Sequence, residues 1–169
     1  MQFVGWALAS CFLPRLSDIY GRKYVYVGSM VLQLLGMIAT FFSTSVEATT
    51  AIMFFLGFSG VGRCSICFLY LMELLPTNRQ TFLGTLLQMN NGTCSIYMAV
   101  YFWFISKNWV WIEAVAVVMT LVCIIGGLLL PESPKFLMGK MQWGKARGAL
   151  SYIGKFNGAG TFTGRFDRE

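Results

Sequence analysis

Five stretches of the chain stay almost continuously apolar, at roughly 2–16, 24–44, 51–74, 81–105 and 109–130. A helix needs about 20 apolar residues to cross the hydrocarbon core of a bilayer, so all but the short first stretch reach that length outright. The polar and turn-forming residues collect between them, in LSDIYGRK (16–23), STSVEATT (43–50), LPTNRQ (75–80) and SKN (106–108). Lipid offers no partner for backbone N–H and C=O groups, so spans of this kind are helices. The pattern predicts an all-α membrane protein with five transmembrane helices in residues 1–130. Pro131 stops the last of them, because proline cannot continue the helix ladder. From there Leu137, Met141, Leu150 and Ile153 share one helical face, with Lys140, Lys145 and Arg147 elsewhere around it. This predicts an amphipathic helix over 131–156 lying along the membrane surface. The Gly-rich NGAGTFTGRFDRE (157–169) predicts a flexible tail or linker.

Composition sharpens this picture. Of 169 residues, 56% are apolar and 12% charged, against about 25% charged in soluble domains. The charges are also unevenly placed. Arg15, Arg22, Lys23, Arg79, Lys135, Lys140, Lys145, Arg147, Lys155, Arg165 and Arg168 fall on one side of the predicted bundle, and Lys107 falls on the other. Basic residues stay on the inner side of membranes, so the start of the chain is expected outside. The C-terminus is expected in the cytoplasm, or in the matrix if the membrane is the mitochondrial inner membrane rather than the plasma membrane. The net charge of +6 is thereby a topology signal, and nucleic acid is not an expected partner. Cys64 and Cys67 form a C-x-x-C within an apolar run, but the chain has no His to complete a metal site. No nucleophile–base pair, phosphate loop or metal constellation is present, which argues against an enzyme and against a cofactor.

Three short motifs carry a family resemblance. LSDIYGRK resembles the G-x-L-x-D-R-x-G-R-K/R loop between the second and third helices of the major facilitator superfamily. Asp18, Gly21, Arg22 and Lys23 match, whereas Pro14 and Ile19 replace the pattern's first Gly and first Arg. LYLMELLPTNRQTFLG (69–84) resembles the segment after the fourth helix, with Glu73, Pro76 and Arg79 in the acid, Pro and Arg places. PESPKFL (131–137) resembles the PESPR-W/F-L motif after the sixth helix of sugar porters and organic-ion transporters, with Lys135 for Arg. NWVWIEAV (108–115) is similar to an H-W-R-W-L run of the organic cation and anion branch. The resemblance implies a major-facilitator-type N-terminal bundle in which the five spans are helices two to six. It implies that a first helix and a second transporter half, or other membrane subunits, complete the assembly within the lipid bilayer.

The resemblance also implies roles for particular residues. Asp18, Arg22, Lys23, Glu73, Arg79, Glu132 and Lys135 form an inner-side gating cluster, in which the basic residues pair with the acids where helix ends converge. Arg63 lies ten residues before Glu73, about 15 Å deeper along a helix. A charge at that depth in lipid costs at least about 2.5 kcal/mol, so Arg63 is expected to face a cavity or an acidic partner. Arg63, Gln88 and Asn91 are the candidate contacts to a small organic solute; helix–helix contacts are the alternative for each. Gly57, Gly60 and Gly62 are expected to permit close helix packing. The expected function is transport of an organic ion or sugar-like solute by alternating access. The alternative is a degenerate half-transporter, retained as a structural accessory subunit of a larger membrane complex such as a respiratory assembly.

Overall fold

The computed structural model describes residues 1–105 and 107–156. Among these residues every regular element is helical. Helix α1 runs Gln2–Tyr20, α2 Arg22–Phe42 and α3 Val46–Val61. A π-helical turn, Gly62–Ile66, joins α3 to α4 (Cys67–Leu74) and makes one rod of 29 residues from Val46 to Leu74. Helix α5 (Thr77–Val100) ends in a second π-helical turn, Tyr101–Ile105, and α6 spans Trp109–Leu129. Two shorter helices follow, α7 (Pro134–Gly139) and α8 (Trp143–Phe156).

Three of these elements are long and apolar enough to cross a membrane: α2, the Val46–Leu74 rod and α6. Helices α1 and α5 have 19 and 24 residues but are less apolar. Arg15 and Asp18 lie in α1, and α5 carries Arg79, Gln80, Gln88, Asn90 and Asn91. Two helix starts are set by local capping: the Ser45 hydroxyl accepts from Ala48 N at 3.2 Å, and Asn108 Oδ1 accepts from Val110 N at 3.1 Å, each satisfying an otherwise orphaned donor.

Small residues decide how closely the helices approach. Without a hydrophobic force between helices in lipid, close backbone contact supplies the packing. Helix α1 lies along α3, and a Cβ placed on Gly57 would overlap the Gln2 carbonyl oxygen, as one on Gly5 would overlap that of Phe54. Gly60 faces the Trp6 ring and Gly62 faces Ser29. The close packing expected at Gly57, Gly60 and Gly62 is therefore present, with α1 and α2 as the neighbours. The core forms where these helices meet, from Ala9, Leu13, Tyr26, Met30, Val61 and Ile66. Beside it the Ser59 hydroxyl donates to Gln33 Oε1 at 2.5 Å, a buried bond between α3 and α2. Helix α6 completes this side by packing on α2, with Gly127 against Tyr26.

Two expectations change. Helix α1 runs through Pro14 to Tyr20 instead of stopping near residue 16. The single amphipathic helix over 131–156 is instead two helices. Helix α7 closes with Gln142 N donating to Leu137 O at 3.0 Å and Met141 N to Met138 O at 3.0 Å, the paired bonds of a Schellman ending. Met141 takes the left-handed conformation, φ 58°, and is exposed rather than on the apolar face. The reversal packs Leu137 of α7 against Ala146 and Ala149 of α8. The predicted tail, 157–169, lies outside the described residues.

Candidate functional site

The three sequence motifs meet at one end of the bundle. Their meeting begins with Gly21, the single residue between α1 and α2. Its φ of 114° and ψ of 151° belong to a region that only glycine occupies without strain. A side chain there would also meet Glu132, with its Cβ 2.8 Å from Oε2. Gly21→Ala is therefore expected to destabilise the chain by at least about 1–3 kcal/mol, read as a lower melting midpoint in detergent. Gly28→Ala, where an added Cβ meets nothing within 4 Å, is expected to be neutral or mildly stabilising in its helix.

The one-residue connection puts Arg22 beside the end of α1. Its Nη1 donates to Ser17 Oγ at 2.8 Å and to Asp18 Oδ1. Asp18 lies within α1 and takes this ion pair from there. Arg22 Nη2 donates across the bundle to Glu73 Oε1 at 3.3 Å, near the end of α4. The side chains of Arg22 and Glu73 are 12% and 8% exposed, whereas that of Asp18 is 63% exposed. The pair with Asp18 is thus largely water-screened, and the pair with Glu73 is the buried one. The second oxygen of Glu73 accepts from Ser133 Oγ at 2.6 Å. Ser133 is fully buried and also caps α7, accepting from Phe136 N at 3.3 Å.

Lys23 and Glu132 form a second, reciprocal arrangement. Glu132 Oε1 accepts from Lys23 N at 3.1 Å in the first turn of α2, and from Ser133 N at 3.2 Å. The Lys23 ammonium in turn donates to Leu128 O at 2.7 Å and Leu130 O at 2.6 Å, at the end of α6. Each charge satisfies orphan backbone groups at the other helix's terminus and complements its dipole. Tyr70 Oη, on α4, donates to Pro131 O. The segment 131–133 is therefore held by α2 and α4 together.

The members of the expected cluster are placed unevenly. Lys23 binds carbonyls through its ammonium, and only its backbone N–H reaches Glu132. Arg79 and Lys135 are exposed and enter no ion pair among the described residues. Ser17, Tyr70 and Ser133 belong to the cluster although charge reading alone did not single them out. Tyr70 precedes Glu73 by three residues, and that helical spacing was the available signal.

The solute candidates are not brought together in an enclosed site. Gln88 lines a shallow groove of about 490 Å3 between α4 and α5, with Phe68, Met72, Gly84 and Thr85. Asn91 is exposed one helical turn further along α5, and Arg63 is exposed in the π-helical turn; neither lines this groove.

Comparison with known proteins identifies the family. Residues 1–159 match the model of the family described as sugar (and other) transporter. The D-xylose transporter of Levilactobacillus brevis is 26% identical over 155 residues, covering 90% of this chain and 34% of that protein. The hexose transporter HXT17 of Saccharomyces cerevisiae is 28% identical over 162 residues, covering 92% and 28%. Solute carrier family 22 member 4 of Mus musculus is 25% identical over 170 residues, covering 98% and 30%. The chain thus spans about a third of the length of the curated relatives it matches. These are transport proteins rather than enzymes, and with its long apolar helices the chain is a multi-pass integral membrane protein belonging to the sugar (and other) transporter family.

Proposed function

We propose that the chain supplies five membrane-crossing helices to the first bundle of an alternating-access transporter for a small organic solute, sugar-like or ionic. In this reading α1, α2, the Val46–Leu74 rod, α5 with its π-helical turn, and α6 are helices two to six of a twelve-helix assembly. The α7–α8 hairpin and the C-terminus lie on the cytoplasmic or matrix side, in the plasma membrane or the mitochondrial inner membrane. The charge cluster is the inner latch. It is completed by a second bundle, toward which the exposed Arg79 and Lys135 are available.

The observation that carries this reading is the position of Glu73. One carboxylate holds Arg22 at the start of α2 and Ser133 at the start of α7, which ties three helix ends together. Rigid units of this kind are what rocking-bundle transport requires. Arg63, Gln88 and Asn91 are assigned to the solute path. Arg63 sits in a π-helical turn, a distortion frequently found at functional sites, and its charge needs a hydrated cavity there.

Uptake of labelled pentose, hexose and organic cation into vesicles carrying the intact polypeptide tests the proposal. Glu73→Gln is expected to lower uptake about tenfold, within the usual range of coupling free energies. Arg63→Ala is expected to lower uptake with the Arg22–Glu73 pair left in place. Unchanged uptake in both variants, or labelling that puts residues 16–23 and 131–137 on the outer face, would overturn it.

A further inference from the structure

A groove of about 770 Å3 opens between the ends of α2 and α6 and the α7–α8 hairpin. Its polar rim carries Lys23, Lys140 and Lys145 against one carboxylate, Glu132. Glu132 already accepts two backbone N–H bonds through Oε1, and Lys23 is committed to the α6 carbonyls. Lys140 and Lys145 are left as exposed cations at the mouth. Lys140 is held there over the Phe136 ring, 5.8 Å from its centroid. A second compartment, about 330 Å3, continues from the first through shared Leu129, Leu130, Pro131 and Tyr152, and adds the apolar Leu74 and Ile153. The result is a pair of adjoining hollows, one with lysines on its rim and one lined mainly by apolar side chains, placed at the terminus of a helix apolar enough to cross a membrane.

We propose that this cleft binds an anionic phospholipid. The phosphate lies against Lys140 and Lys145, and an acyl chain runs over Leu129, Leu130 and Ile153. A small hydrophilic anion would gain little from the apolar arm, and a zwitterionic lipid, whose own ammonium offsets its phosphate, would gain less from the lysines than a lipid of net negative charge. The two-part lining therefore selects an amphiphile with a negative head. The hairpin is shaped for the role. Lys145, Gly148, Ala149 and Tyr152 fall at helical spacing on one face of α8, and all four line the groove. A Cβ on Gly148 would meet nothing within 4 Å, so the cleft is open where a headgroup passes. Met141, 73% exposed at the tip of the turn, is an apolar anchor flanked by Lys140, the arrangement of surface-lying membrane segments. The proposal does not depend on which solute crosses, because Lys140, Lys145, Gly148 and Ile153 lie outside the charge cluster.

The test uses the full chain purified in detergent, with bound lipid counted by native mass spectrometry. Phosphatidylglycerol and phosphatidylcholine of matched acyl chains are the probes. Phosphatidylglycerol is expected to be retained at least about tenfold better. Removing the rim charges in Lys140→Gln with Lys145→Gln is expected to weaken its retention about fivefold per lysine and to weaken that of phosphatidylcholine by less. Gly148→Leu, an open position at which leucine favours the helix, is expected to lower retention of both lipids without lowering the melting midpoint of the lipid-free chain. Equal retention of the two lipids, or wild-type retention by Gly148→Leu, would overturn the proposal. A fall in the lipid-free midpoint of Gly148→Leu would overturn it too, since the cleft would then hold protein, either a segment of this chain or a second copy.

Discussion

Arg22→Met will destabilise the chain by about 3–5 kcal/mol, and adding Glu73→Met will recover most of that loss. The two side chains are 12% and 8% exposed, so removing the guanidinium strands a desolvated carboxylate whose remaining donor is Ser133 Oγ. Removing both charges leaves no buried ion, and replacing a buried pair by apolar groups is often neutral or stabilising. Asp18→Asn, by contrast, will change stability by less than about 1 kcal/mol, because that carboxylate is largely solvated. Melting midpoints of the parent, both single variants and the double variant give the coupling directly. Additive losses, with the double variant worst, would show that Arg22 and Glu73 do not act on each other.

The membrane character of the chain was legible because it is written in composition rather than periodicity. Uninterrupted apolar runs predict spans without knowledge of what each face touches, and α2, the Val46–Leu74 rod and α6 follow the runs closely. Element ends were less legible where tertiary contacts decide them. Helix α1 outlasts its apolar run because Ser17 and Asp18 turn their side chains to Arg22 rather than to lipid. The break between α7 and α8 had no glycine at the residue that reverses the chain, because Gly139 lies two positions earlier, inside α7. Met141 adopts the left-handed conformation usually left to glycine, in return for the packing of Leu137 on Ala146 and Ala149.

The charge cluster shows the same division. That charges at helix ends would gather near Gly21 and Glu132 could be read from the motifs, since a charge at a membrane boundary needs a partner. Which atoms meet could not. Charge counting pairs Lys23 with an acid, but helix geometry gives its ammonium to α6 carbonyls, and the carboxylate goes to its backbone N–H. Neutral members of the cluster, Tyr70 and Ser133, carry no charge signal at all. Their roles arise only when residues 61 and 60 positions apart in sequence come into contact.

Gly57→Val will be as damaging as loss of the ion pair, for a steric reason. A Cβ at this position would overlap the Gln2 carbonyl oxygen and lie 3.0 Å from Gln2 Cα. These are backbone atoms, which cannot swing aside as a side chain would. Gly5 makes the converse contact with the Phe54 carbonyl on the same interface, so α1 is pinned against α3 at two points and can relieve the overlap only by moving bodily away. Such a shift separates Ala9 and Leu13 from Val61 and Ile66, the centre of the core. Overpacking alone costs about 1–3 kcal/mol, and the lost core contacts add to it, so a loss of about 3 kcal/mol or more is expected. Gly57→Ala will show the same sign with a smaller drop, and Gly92→Ala, with open space around its Cβ, will show none. A melting midpoint for Gly57→Val equal to the parent's would mean that α1 does not rest on α3 at Gly57, and the close-packed core drawn from that contact would have to be abandoned.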